Sequence, residues 1–171
     1  MRRIAFLILM FVGLSSAFAG DKAPVVARDS SSANFVHGVG SVTVHFAGGD
    51  LKVTVKTSKA ADGLFKEGFR WGGEDAVSPL TLTTSIVVQS GAEKLFVPLS
   101  AYSDLGDPRR ISLSANATGF ELAIIGGDAG VAYNAVLVFE DGWLIRRRVT
   151  HGEFPDEAWE ETKYAYNTLN N

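Results

Sequence analysis

Apolar and polar residues alternate with a period of two along most of the chain after residue 35, and turn residues interrupt this alternation at short intervals. Val42, Val44 and Phe46 are separated by polar residues, and the same pattern returns in 51–56 after a Gly-Gly-Asp turn. A period of two places alternate side chains on opposite faces of a strand. These two runs around a glycine-rich turn therefore predict a β-hairpin.

Further alternating runs follow the first hairpin. They occupy 80–88, 93–99, 111–113, 120–125, 131–139 and 143–150. The Asp141-Gly142 dipeptide joins the last two, and it suits a type I′ turn, which needs positive φ at both central residues. No helical period of comparable length is present. About nine short strands, most with one polar face, predict an all-β chain folded as a single antiparallel β-sandwich.

Two segments depart from the alternation. The glycine-rich span 58–78 is predicted to be a long connection, with one short strand near Phe69. Near the C-terminus, Pro155-Asp156-Glu157 resembles the start of a helix, because proline suits the first turn and acidic residues favour the positive end of the helix dipole. We therefore predict a short helical turn at 155–160, followed by a strand at 161–167.

The N-terminus has the organisation of a signal peptide. Arg2 and Arg3 precede an apolar run from Ile4 to Val12, and Ala17-Phe18-Ala19 provides a small-residue cleavage site. We expect cleavage after Ala19 and a location in the periplasm or outside the cell. Residues 1–19 are then the signal peptide, 20–34 a flexible polar lead-in, and 35–171 the β-sandwich domain.

Composition narrows the classes of function. The net charge is −3, and loss of Arg2 and Arg3 with the leader would change it to −5, which argues against a nucleic-acid-binding protein. No apolar run approaches the roughly 20 residues of a membrane-spanning helix. The chain contains no cysteine, so it forms no disulfide. For an exported protein of this size, the lack of cysteine favours a bacterial envelope.

The sequence offers little catalytic chemistry. It has neither a G-x-S-x-G nucleophile motif nor a phosphate-binding or dinucleotide-binding glycine motif, so we expect no catalytic residue and no cofactor. His151 and Glu153 are two apart and would share a face on a strand, which leaves a small hydrolase or metal-dependent enzyme as an alternative. A stable zinc site needs three or four ligands, however, and no metal site is predicted.

Tryptophan supports a second alternative, a carbohydrate-binding module. Trp71 is the only tryptophan predicted to lie in a loop, and it adjoins Arg70 and Phe69. These three residues form the candidate ligand-binding site, because an exposed aromatic ring can stack on the C–H groups of a sugar. Trp143 begins a strand and is predicted to belong to the core.

Arg147 is the least ordinary residue of the C-terminal region. Alternation along 143–150 groups it with Trp143, Ile145 and Val149, so it is predicted to point into the core. A guanidinium cannot lose its proton, and its burial requires a partner. Five acidic residues follow within 153–161, and we predict an ion pair of Arg147 with Glu160 or Glu161.

The sequence therefore predicts an exported, non-catalytic β-sandwich that acts as a binding, inhibitor or structural module. Its expected partner is a protein or a saccharide of the cell envelope.

Overall fold

A computed structural model describes residues 29–46, 49–61, 64, 78–116, 118–128 and 132–166. Within these ranges the chain forms ten strands and one turn of 3-10 helix at Leu99–Ala101. The strands are β1 (Ser30–Asn34), β2 (Val39–Phe46), β3 (Gly49–Lys59), β4 (Thr81–Ser90), β5 (Glu93–Leu95), β6 (Pro108–Ala115), β7 (Gly119–Gly126), β8 (Tyr133–Glu140), β9 (Trp143–His151) and β10 (Ala158–Lys163). None of the described segments is a helix long and apolar enough to cross a membrane.

The strands form two antiparallel sheets. One has six strands in the order β1-β6-β7-β8-β9-β10, and the other has four in the order β2-β3-β4-β5. Strands that are consecutive in the sequence pair with each other within each sheet, and β1 is the exception because it pairs with β6. The two sheets pack face to face over one hydrophobic core. The predicted all-β sandwich is confirmed.

The core consists of the inward-facing residues that the alternation predicts. Val53 and Val88 of the smaller sheet and Leu113, Leu122 and Leu137 of the larger one are fully buried. Each of these aliphatic side chains contributes about 1.5–3 kcal/mol when it leaves water. The alternating pattern is thus the physical reason why the two sheets share one interior.

The flexible lead-in predicted at 20–34 is wrong for residues 30–34, which form strand β1. Residues 30–34 pair with β6, with Ser30 opposite Ser114 and Asn34 opposite Arg110. The run Ser-Ser-Ser-Ala-Asn carries almost no apolar signal, because β1 is an edge strand that is held chiefly by backbone hydrogen bonds. Only Ala33 packs against the core. The sandwich therefore begins at least five residues earlier than predicted.

The C-terminal segment contains no helical turn at 155–160. Residues 155 and 156 form a turn, and β10 begins at Ala158 and ends at Lys163, earlier than the strand predicted at 161–167. The register of β10 on β9 shifts between Ala158 and Glu160. Trp159 is the extra residue of this bulge, and it interrupts the period-two pattern that would otherwise have revealed a strand.

A second bulge changes the inward face of β9. Phe139 lies opposite Leu144, but Val138 lies opposite Arg146, so Ile145 is the extra residue. Leu144 is consequently buried, whereas Trp143 remains 42% exposed. The prediction that Trp143 belongs to the core is wrong, because the bulge reverses the alternation at the start of this strand.

The connection between β5 and β6 crosses from one sheet to the other. Tyr102 and Leu105 anchor it in the core. At its end, Asp107 has a φ of 42° and accepts hydrogen bonds from the backbone N–H groups of Leu80 and Thr81 at 2.9 and 2.7 Å. These bonds fasten the connection to the start of β4 and fix the position of Asp104.

Candidate functional site

Arg147 lies in the interior of the sandwich and is only 1% exposed. Its neighbour on β8 is Leu137, an inward-facing core residue, and its neighbour on β10 is Thr162. The guanidinium donates from Nη2 to Asp104 Oδ2 at 2.6 Å and from Nη1 to Glu160 Oε1. A single buried cation therefore joins β9 to β10 and to the β5–β6 connection.

The electrostatics of this cluster favour its charged forms. Burial raises the pKa of Glu160, but hydrogen bonds from Arg147 and Thr162, together with the charge of the guanidinium, lower it to a greater extent. For Arg147, burial lowers the pKa, and Asp104 and Glu160 more than offset this effect. The Thr162 hydroxyl donates to the same Glu160 oxygen at 2.8 Å. The charged forms of Arg147 and Glu160 are thus both stabilised at these positions.

Tyr133 is a second buried polar residue beside the same connection. Its hydroxyl donates to the Gly106 carbonyl at 2.8 Å. Burial and the nearby carboxylates of Asp104 and Asp107 raise the pKa of this phenol well above its ordinary value. A Cβ added at Gly126 would lie 2.3 Å from the Tyr133 hydroxyl oxygen, so any other residue there would displace the tyrosine ring or the backbone. Tyr133 remains protonated and acts as a donor that holds the connection.

Glu161, the other predicted partner of Arg147, does not reach it. Glu161 lies opposite Arg148 in the register, and Thr162 lies opposite Arg147. Adjacent residues of a strand point to opposite faces, so the side chain of Glu161 lies on the solvent-facing side of the sheet. We predicted that Arg147 pairs with Glu160 or Glu161. The partner in the structure is Glu160.

The three histidines lie on separate elements. His37 is in the turn before β2, and His45 is near the end of that strand, roughly 25 Å away at the rise of an extended chain. His45 pairs with Asp50 at 2.6 Å on the surface. His151 ends β9 in the other sheet. The histidines are thus not assembled into one site.

The arrangement around His151 differs from the predicted one. Strand β9 ends at His151, so Glu153 lies in the following connection and does not share a strand face with it. The backbone N–H of Glu153 donates to His151 Nδ1 at 3.0 Å. The imidazole also contacts the rings of Phe154 and Trp159. Within the described parts of the chain, no group of three or more His, Cys, Asp or Glu residues is placed to hold a metal ion.

An aromatic patch lies where the edge strands β5 and β10 end near the β8–β9 turn. We define it as Phe96, Trp143 and Tyr166. The Trp143 and Tyr166 ring centroids are 4.8 Å apart, and those of Phe96 and Tyr166 are 6.4 Å apart in an edge-to-face arrangement. Phe96 is 59% exposed and Trp143 42% exposed. Two exposed aromatic rings thus flank the partly buried ring of Tyr166, and exposed apolar clusters of this kind are typical of binding surfaces.

The predicted ligand-binding residues Phe69, Arg70 and Trp71 lie outside the described residues. Their role stays a prediction. Most of the long connection predicted at 58–78 also lies outside them, although β3 extends to Lys59.

Sequence reasoning missed Asp104 and the aromatic patch for different reasons. Asp104 is 43 residues from Arg147, and nothing local in a turn-rich stretch indicates that partner. The patch joins residues from three distant segments. The sequence held one local signal for the patch. Trp143 directly follows the Asp141-Gly142 turn, so it lies at the first position of its strand, at the end of the sheet.

Comparison of the chain with protein-family models, with curated proteins and with solved structures gave no match.

Proposed function

We propose that this protein is an exported, non-catalytic binding module that acts in the periplasm or outside the cell, and that the aromatic patch is its binding surface. The leader-like sequence of residues 1–19 supports export. The observation that carries the binding role is the exposure of Phe96 and Trp143 in an ordered aromatic cluster. Aromatic residues supply much of the binding energy at protein surfaces because they bury a large area with few rotatable bonds.

The surroundings of the patch are consistent with this role. The β8–β9 turn that carries Trp143 is tight, with φ of 49° at Asp141 and 80° at Gly142. Phe96 directly follows β5, which pairs with β4, and Tyr166 follows β10, which pairs with β9 up to Lys163. The patch therefore rests on fixed backbone, which limits the entropy that is lost when a ligand binds.

An affinity-capture experiment tests the proposal. The mature protein is immobilised and exposed to the envelope fraction of its own cell, and bound components are identified by mass spectrometry. We expect a component that the wild type retains and that Trp143→Ala loses. Phe154→Ala is the matched control, because Phe154 is 55% exposed and follows the opposite end of β9, roughly 25 Å from Trp143.

Two results would overturn the proposal. One is the absence of any specifically retained component with the wild-type protein. The other is equal retention by the wild type and Trp143→Ala, which would show that the aromatic patch is not the binding surface.

A further inference from the structure

One hydrogen bond at the end of β9 depends on the protonation state of a histidine. The backbone N–H of Glu153 donates to His151 Nδ1 at 3.0 Å. A neutral imidazole has one donor nitrogen and one acceptor nitrogen, so this bond requires the tautomer that carries its hydrogen on Nε2. Protonation places a second hydrogen on Nδ1, and an imidazolium has two donors and no acceptor. The bond to Glu153 therefore exists only while His151 is neutral.

This bond helps to fasten the connection 152–157, which leads from β9 to β10. Two backbone bonds hold the same connection. The Gly152 N–H donates to the Ala132 carbonyl at 2.7 Å, and the His151 N–H donates to the Glu157 carbonyl at 3.4 Å. Amide N–H groups and carbonyls do not titrate in mild acid. Of the three bonds, only the one to His151 Nδ1 therefore responds to pH.

The charged surroundings of His151 permit its protonation. The titratable and charged groups on the elements next to it are Tyr133 on β8, Arg147 and Arg148 on β9, Glu153, Asp156 and Glu157 in the connection, Glu160 on β10, and the Arg109–Asp128 pair beside the β7–β8 connection. Five carboxylates thus accompany three guanidinium groups, and the three carboxylates of the connection are exposed. An imidazolium is attracted to a neighbourhood in which negative charge predominates.

We propose that His151 is a pH-sensitive latch on the β9–β10 connection. The neutral imidazole holds the Glu153 amide, and acidification releases this amide because Nδ1 becomes a donor. Histidine ordinarily changes its charge roughly between pH 5 and 8, so mild acid is sufficient. Either the ring or the connection must then move, which changes the contacts of the imidazole with Phe154 and Trp159. The latch does not depend on the binding function proposed above.

NMR spectroscopy of the isotope-labelled mature protein between pH 8 and pH 4.5 tests the latch. We expect the amide resonance of Glu153 to shift in step with the titration of the His151 ring. Its protection against hydrogen exchange, corrected for the intrinsic rate at each pH, should fall by about 2- to 10-fold, the loss expected for one hydrogen bond. The Gly152 amide is the internal control, because its acceptor is a carbonyl, and its protection should stay constant.

Two substitutions fix the latch in opposite states. His151→Asn keeps an acceptor at every pH, because an asparagine side chain can bond the N–H two residues further on, as Asn116 does with the Thr118 N–H at 3.0 Å. His151→Leu has no acceptor. The Glu153 amide should therefore be protected throughout the pH range in the first variant and throughout unprotected in the second. His45→Asn is the matched control, because His45 is exposed on the other sheet and its loss should leave the response of Glu153 unchanged.

Three results would overturn the proposal. The first is a Glu153 amide that keeps its protection after the His151 ring has become protonated, or a ring that stays neutral down to pH 4.5. The second is a pH response of His151→Asn equal to that of the wild type, which would assign the response to another group. The third is full protection of Glu153 in His151→Leu, which would show that Nδ1 does not hold the amide.

Discussion

Replacement of Arg147 by alanine should destabilise the protein far more than the same change at either neighbouring arginine. Arg147 is buried and bonded to Asp104 and Glu160. Arg146 is exposed, and Arg148 is half-buried with one long contact of 3.4 Å to the Asp156 carbonyl. Three consecutive residues of one type thus experience three different environments, which makes them a matched set.

The magnitude follows from what the substitution leaves behind. Removal of one member of a buried ion pair typically costs 3–5 kcal/mol, because the remaining charge stays desolvated. Here the carboxylates of Asp104 and Glu160 keep 27% and 44% of their side-chain surface exposed, so water can partly hydrate them. We therefore expect the low end of that range, about 3 kcal/mol. Exposed pairs contribute at most about 1 kcal/mol, and Arg146→Ala and Arg148→Ala should lie below that value.

Urea denaturation of the three variants, followed by circular dichroism or fluorescence, measures these differences as shifts of the midpoint at constant slope. Glu160→Gln and Glu161→Gln form a second matched pair, of which only the first should destabilise. Equal and small losses for all three arginine variants would refute the reasoning, since they would mean that Arg147 is hydrated and unpaired in the native state.

The same ion pair has a pH dependence of defined sign. The pKa of Glu160 is lower in the folded protein than its ordinary value of 4.5. Its contribution to stability is therefore fully present above that value and is lost as the pH falls through the folded pKa. The difference in unfolding free energy between the wild type and Glu160→Gln should shrink progressively below about pH 4.5. A difference that stayed constant between pH 7 and pH 3 would contradict the assignment.

Three further predictions concern other parts of the chain. N-terminal sequencing of the exported protein should begin at Gly20, and a sequence beginning at Met1 would contradict the signal peptide. Gly126→Ala should destabilise by about 1–3 kcal/mol, because the new methyl group overlaps Tyr133, and unchanged thermal stability would show that Tyr133 can move aside. Gly142→Ala should cost about 1–2 kcal/mol by calorimetry, because φ is 80° and the added Cβ would make only an ordinary contact with Leu95 at 3.7 Å, so backbone strain dominates. A neutral effect would mean that the turn relaxes.

The sequence predicted the sandwich because the strands around its tight turns alternate cleanly. In the β2–β3 hairpin, Val42 and Val53 lie opposite each other and both are buried. The Asp141-Gly142 turn has positive φ at both residues, as predicted. Such signals are local, and a local signal is enough to define a hairpin. Edge strand β1 carries no such local signal, because it pairs with β6 alone and buries little apolar surface.

The errors arose where one inserted residue changed the register. Trp143, Leu144 and Ile145 are all large and apolar, so either face of β9 could have been assigned to the core. Only the pairing with β8 reveals that Leu144 is inside and Trp143 outside. That single bulge moved Trp143 from the predicted core to the candidate binding surface. Arg147 lies beyond the bulge, on the same face as Val149, so its inward orientation was predictable from their shared parity.

The bonds of Arg147 also join segments that leave the ribosome at different times. Asp104 precedes Arg147 by 43 residues, whereas Glu160 follows it by 13. Because synthesis proceeds from the N-terminus, a chain truncated before Glu160 contains Arg147 and Asp104 but lacks the carboxylate that accepts from Nη1. In such a product the guanidinium keeps its bond to Asp104 and loses the bond of Nη1, so the truncated domain should be less stable and more readily cleaved by proteases. Strand β10, which is synthesised after the strands it stabilises, thus completes the bonding of a side chain that lies inside the sandwich.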